Sequence, residues 1–188
     1  PESGEGPFPL FIYLHGYVPS YSKAQWVDEP SDLTALIEKH NAILAVPFGR
    51  SNTDFQTVGE VDVLRVIEET AGYYKIDRSR IYCIGYSMGG SGMWTIMQHY
   101  PDLFKAGISI GGRTDFYLWT EIEPETLPFF TQFLISNNNP INVPRNFLNN
   151  AFMIFHGTED PLVKQGQSSG IHQKLLNEGI PSIFTPVE

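Results

Sequence analysis

In Ile81-Tyr-Cys-Ile-Gly-Tyr-Ser87-Met-Gly-Gly90, one serine stands between glycines where an apolar run stops. A serine hydroxyl becomes a useful nucleophile only when the backbone projects it and a base takes its proton. The Gly-x-Ser-x-Gly spacing suits a sharp strand-to-helix turn, a nucleophile elbow, with the serine in a strained conformation at its tip. Gly85 and Gly89 lack the Cβ atoms that would collide as strand and helix close on each other. A bare glycine turn would show the same five residues without a strand-like run before it (81–84) and a helix-like segment after it (88–99), and both are present. Acyl transfer by serine also needs an acid to orient the base, and donors for the oxyanion. Asp160, in His156-Gly-Thr-Glu-Asp160-Pro-Leu-Val163, comes after the serine as the order Ser, Asp, His requires. The donors would be the backbone N–H of Met88, at the positive end of the elbow helix, and that of Tyr17 in His15-Gly16-Tyr17.

These groups need a scaffold, and hydrophobic periodicity supplies one. Apolar runs of strand length occupy 10–14, 42–46, 81–84, 106–110 and 151–155, and one more begins at 182–187. Between them lie a short helix capped by Ser31, a helix over 60–74 with Leu64, Ile67, Ala71 and Tyr74 on one stripe, the elbow helix, and a helix carrying Ile171, Leu175 and Leu176 that stops at Gly179. Asp77-Arg78-Ser79-Arg80 reads as a turn. Residues 113–149 read as an irregular, aromatic-rich insertion, a lid or acyl pocket in which Trp119 and Phe130 are lining candidates and core packing is the bland alternative. Strands alternating with amphipathic helices predict one α/β domain over 1–188, with a mostly parallel sheet and helices on both faces. Ligands bind such sheets at the carboxyl ends of the strands, where His15-Gly16-Tyr17, Ser87 and Asp160 all fall. His15, Gly16, Tyr86 and Trp119 are the candidate substrate-binding residues around them.

Composition narrows the partners. With 188 residues, 41% apolar and 18% charged, the chain suits a globular domain with a real core. A formal charge of −9 argues against nucleic acid or an anionic membrane surface. No run approaches a membrane span, and no signal-peptide pattern opens the chain. The single cysteine, Cys83, excludes an internal disulfide and reads as a buried thiol. No cluster has metal-ligand spacing and no Gly-rich phosphate loop follows the first strand, so no cofactor or metal is implied. The first residue is Pro1 rather than Met, which suits a processed chain; with the acidic composition this leans toward a secreted or periplasmic setting.

Taken together, Leu14-His15-Gly16, Gly59-Glu60-Val61-Asp62-Val63, Ile76-Asp77-Arg78-Ser79-Arg80-Ile81-Tyr82, Gly85-Tyr-Ser-Met-Gly-Gly90, Tyr100-Pro101-Asp102-Leu103-Phe104 and His156-Gly-x-x-Asp160-x-x-Val163 resemble the α/β-hydrolase superfamily, and within it the phospholipase/carboxylesterase-like and predicted-peptidase-like serine esterases. The resemblance implies a carboxylic ester hydrolase working through an acyl-enzyme on a small-molecule or polysaccharide-linked ester. Ser87 would be the nucleophile, Asp160 the acid, and Tyr17 and Met88 the oxyanion donors. It also implies a general-base histidine on the loop after the last strand. None of the five histidines fits that place. His15 and His156 read as loop-shaping, His40 and His99 end helices, and His172, although it follows Asp160, lies mid-helix. The base is therefore expected about 10–20 residues past Glu188, in a C-terminal segment that this sequence lacks. Asp115 and Glu159 are rival acids, Arg50 is a candidate for an anionic substrate group, and Glu60 and Asp62 read as helix-dipole partners. A serine peptidase of the same fold and a non-catalytic hydrolase-like binding module are the alternatives.

Overall fold

A computed structural model describes residues 5–19 and 30–188. The lead-in from Pro1 and the loop after Tyr17 fall partly outside the described residues. Strands β1 (Phe8–Leu14), β2 (Ile43–Ala45), β3 (Ile76–Tyr86), β4 (Ala106–Ile110), β5 (Ala151–Gly157) and β6 (Ser182–Val187) alternate with helices α1 (Ser31–Lys39), α2 (Val58–Tyr73), α3 (Met88–His99) and α6 (Gly166–Asn177). Two further helices, α4 (Phe116–Thr120) and α5 (Phe129–Asn138), lie between β4 and β5. The strands form one sheet in the order β2-β1-β3-β4-β5-β6, and every neighbouring pair is parallel. Sequence and structure agree on an α/β-hydrolase fold.

Alternation along each strand sends one set of side chains into a continuous core. Leu10, Ile12, Ile81, Cys83, Phe152 and Ile154 from the sheet meet Val63 and Ile67 of α2, Met93, Trp94 and Met97 of α3, and Ile171 and Leu175 of α6. Trp94 anchors this core: its ring lies 4.7 Å from Phe152, and its indole N–H donates to Ser109 Oγ at 3.1 Å. Helix α3 is buried from Met88 to Gln98, and its run is dominated by small and apolar residues. On the opposite face, Phe11 stacks on Tyr82 at 4.8 Å, while Met153 and Ile183 are exposed among the described residues.

Two expectations change. Asp77–Arg80 is assigned to β3 rather than to a turn before it, but the register against β1 jumps between Phe8↔Ile76 and Leu10↔Ile81. The four residues therefore bulge out, with Asp77 Oδ1 accepting from the Ser79 N–H at 3.0 Å. Residues 113–149 are not irregular. They hold α4, α5 and the 3-10 turns Pro124–Thr126, Pro140–Asn142 and Pro144–Phe147. Helical periodicity there is broken every few residues by proline and asparagine, which hid the short helices.

Candidate active site

The sheet order reverses between β1 and β3, which run side by side while their following connections lead to opposite edges. Such a switch point opens a crevice at the carboxyl ends of the two strands. Ser87 sits there, one residue past β3, with φ 53° and ψ −115°. This is the strained elbow that the sequence predicted. Its N–H donates to Ile110 O at 2.8 Å, which ties the elbow to the end of β4. The flanking glycines are obligatory for contact reasons: a Cβ on Gly85 would stand 2.1 Å from Gly89 O, and one on Gly89 only 1.9 Å from Leu14 O. Met88 opens α3, so its N–H is one of the first-turn donors that no carbonyl of the helix can take.

Ser87 and Asp160 line the same hollow of about 560 Å³, together with Tyr86, Gly111, His156 and Glu188. Asp160 Oδ1 accepts from the N–H groups of Leu162 and Val163, both at 2.9 Å. The Asx turn and the acid role are thus compatible, because the turn uses one oxygen and fixes the other. Oδ2 lies 3.5 Å from His156 Nε2 and faces Gly111, where a Cβ would stand 3.6 Å away. Glu159 lines the hollow too, as an exposed residue.

After β1 the chain passes close over the elbow. A Cβ on Gly16 would lie 3.0 Å from the Tyr86 ring and 3.6 Å from Ser87 Cβ. The His15 ring is buried: Nδ1 lies 2.7 Å from Gly16 O, Nε2 lies 3.1 Å from Phe48 O, and the ring packs edge-on to Phe55 at 5.1 Å. His15 is thus buried in the turn after β1, where it shapes the loop, and it is not among the residues that line the hollow. The Tyr17 side chain is 65% exposed, and its backbone N–H belongs to the peptide unit whose carbonyl, Gly16 O, faces His15.

A family comparison bears on this geometry. The model of the prolyl oligopeptidase family matches residues 52–185. The chain belongs to the prolyl oligopeptidase family. Among solved structures, the acylaminoacyl peptidase of Pyrococcus horikoshii superposes with a TM-score of 0.77 at 20% identity, over 100% of this chain and 33% of its own. A thermostable esterase gives 0.64 at 22% identity, over 97% and 48%. A puromycin-hydrolyzing peptidase of Mycobacterium tuberculosis gives 0.73 at 17%, over 99% and 31%. The chain thus spans a third to a half of the length of these structures, which share its fold. No curated protein matches it significantly.

Within this family member, several sequence candidates lie away from the hollow. Trp119 lines a separate depression of about 240 Å³ with Asp54, Ser91 and Arg113, and the Arg113 guanidinium sits 4.7 Å over its ring. Asp115, the rival acid, caps α4 by accepting from the Tyr117 N–H at 3.0 Å. His172 Nδ1 meets Ser182 Oγ at 2.9 Å, joining α6 to the start of β6. Arg50 pairs with Asp62 at 3.0 Å. Glu60 is more than a dipole partner: it meets His99 Nδ1 at 2.7 Å and accepts from the Tyr100 hydroxyl at 3.0 Å, joining α2 to the end of α3. Among the described residues no group of His, Cys, Asp and Glu is arranged to hold a metal ion, and no helix is long and apolar enough to cross a membrane.

Proposed function

We propose that this protein is a serine hydrolase that cleaves carboxylic esters, small or polysaccharide-linked, through an acyl-enzyme on Ser87. The observation that carries the reading is the shared hollow: a strained serine at a switch point and a turn-anchored carboxylate open onto one space. Ser87 Oγ attacks the carbonyl carbon as a base takes its proton. The tetrahedral oxygen is held by the N–H groups of Met88 and Tyr17, and the alkoxide leaves with the proton returned by the base. Water then repeats the sequence on the acyl-serine. Asp160 Oδ2 fixes the tautomer of the base and stabilises its cation. His156 lines the hollow but is committed elsewhere: Nδ1 to Ser168 Oγ and Nε2 to Val163 O, both at 2.7 Å. We place the base on a histidine carried outside these 188 residues and brought into the hollow where Val187 and Glu188 form its wall.

Esters are the modest demand on such a site, because an alkoxide leaves with less help than an amine. The family match favours a second reading, cleavage of peptide bonds, which needs the base to protonate the departing nitrogen as well. The full-length protein assayed on short-chain nitrophenyl esters beside aminoacyl nitroanilides separates the two. Ester turnover well above amide turnover is expected; comparable rates assign a peptidase. Ser87→Ala should remove about three or more orders of magnitude of kcat, and full activity in that variant would end both readings.

A further inference from the structure

The segment from Gly49 to Thr57 is backbone-strained to a degree found nowhere else among the described residues. Gly49, Arg50, Ser51, Asp54, Phe55 and Thr57 all hold φ between 50° and 78°. Such conformations persist only where the surroundings over-determine them, and they concentrate where geometry serves function. The surroundings here are specific. Asp62 Oδ2 accepts from the Gly49 N–H at 3.0 Å, and Thr53 Oγ1 donates to Gly49 O at 2.6 Å. The fully buried Phe55 ring fills the space that a Cβ on Gly49 would enter at 2.4 Å, and its Cβ lies where one on Gly92 of α3 would enter at 2.7 Å. Asp54 pairs with Arg113 at 2.7 Å, whose backbone N–H donates to Ser91 Oγ, one turn along α3 from Ser87. The segment is bolted to the elbow helix and to α2.

It is also attached to the loop after β1. Asn52 Oδ1 accepts from the Val18 N–H at 3.0 Å, and Asn52 Nδ2 donates to Val18 O at 2.8 Å. One side chain thus holds both polar groups of Val18. On the other side of Tyr17, Gly16 O faces His15 Nδ1. In a trans peptide the carbonyl and the N–H point opposite ways, so the Tyr17 N–H is turned away from the His15 ring, and Asn52 fixes the next unit along. We infer that Asn52 is a positioning residue for the oxyanion donor at Tyr17, holding it in register with the Met88 N–H across a strained, rigid brace. This rests on the hydrolase reading above. Position matters here because misplacing a donor by about 1 Å costs on the order of 100-fold in rate.

The test uses the full-length protein, nitrophenyl butyrate, and a trifluoromethyl ketone as a mimic of the tetrahedral intermediate. Asn52→Ala is expected to lower kcat at least about 10-fold with KM within about 3-fold, and to weaken ketone binding in proportion to kcat/KM. Asn52→Asp keeps the acceptor for Val18 N–H but sets a carboxylate against Val18 O; it should fall between wild type and Asn52→Ala, and it serves as the readout if the alanine variant does not fold. A merely structural asparagine would lower the melting temperature and leave kcat and ketone affinity unchanged, and that result overturns the inference. A rise in KM alone overturns it as well. If Ser87→Ala abolishes turnover while both Asn52 variants keep wild-type kcat, the hydrolase reading stands and only the role of Asn52 fails. If Ser87→Ala retains activity, the hydrolase reading itself is lost.

Discussion

Ser87 at φ 53° and ψ −115° is held by backbone contacts that admit no side chain. Gly89→Ala would drive a methyl into Leu14 O, a backbone atom at the end of β1, so neither partner can yield by rotating. A loss of about 3 kcal/mol or more is expected in urea unfolding. Gly72→Ala is the control within α2: nothing lies within 4 Å of its would-be Cβ, and a gain of about 0.5–1 kcal/mol is expected by the same measurement. At the far end of β3, the Ser79 hydroxyl, the Arg80 guanidinium and the Ser79 N–H hold the Asp77 carboxyl at about 2, below its ordinary 3.8. A folded value below the unfolded one means that its contribution is complete above the ordinary range and is lost as pH falls toward the folded value. An NMR titration of the Asp77 carboxyl should therefore have its midpoint near 2; a midpoint at the ordinary value would refute the bulge geometry. The serine, the flanking glycines and Asp160 were legible because chemistry restricts them to few residue types. Asn52 was not legible, because a side chain that clasps the backbone of one distant residue leaves no periodic or compositional trace.

Among elements, α3 and α5 form a contrast that substitution can measure. Trp94 of α3 is fully buried against Phe147 and Phe152, and Trp94→Ala should cost about 3–5 kcal/mol. Phe129 of α5 is as apolar but 82% exposed, and Phe129→Ala should change stability by no more than about 0.5 kcal/mol. Denaturant midpoints of the two variants check both figures, and a large loss at Phe129 would mean that α5 is covered. The strands and long helices were readable from apolar runs and stripes, since parallel strands buried in a sheet carry little polar interruption. The 113–149 segment was not. Its order comes from a buried polar stem, where Gln167 Oε1 accepts from the N–H groups of Thr114 and Asp115 at 2.8 and 2.7 Å, and the Phe116 N–H donates to Asn139 Oδ1. Contacts across so many residues of sequence leave no local signature.

For the molecule as a whole, the sheet makes the interior one cooperative unit, and Cys83 reports on it. It lies at zero exposure in β3, between β1 and β4, and burial pushes its thiol up. Labelling by a thiol reagent at pH 8 should track global unfolding rather than local opening, so the labelling free energy and the denaturation free energy should coincide. Faster labelling would reveal partial opening of the central strands. The alternation of strands and helices disclosed this architecture, while the hollow between Ser87 and Asp160 could be read only as a shared sheet edge until the register was known. The register carries a further implication for biosynthesis. Leu10 to Ile12 pair on one side with Ile43 to Ala45, but the other side of β1 waits for Ile81 to Gly85, and the Ser87 N–H finds its acceptor at Ile110. A growing polypeptide therefore holds Ser87 before it holds the strand that ties the turn down: on the ribosome the residue sits on an unanchored bend, and the chain comes of age only when β4 has emerged to lock it in place.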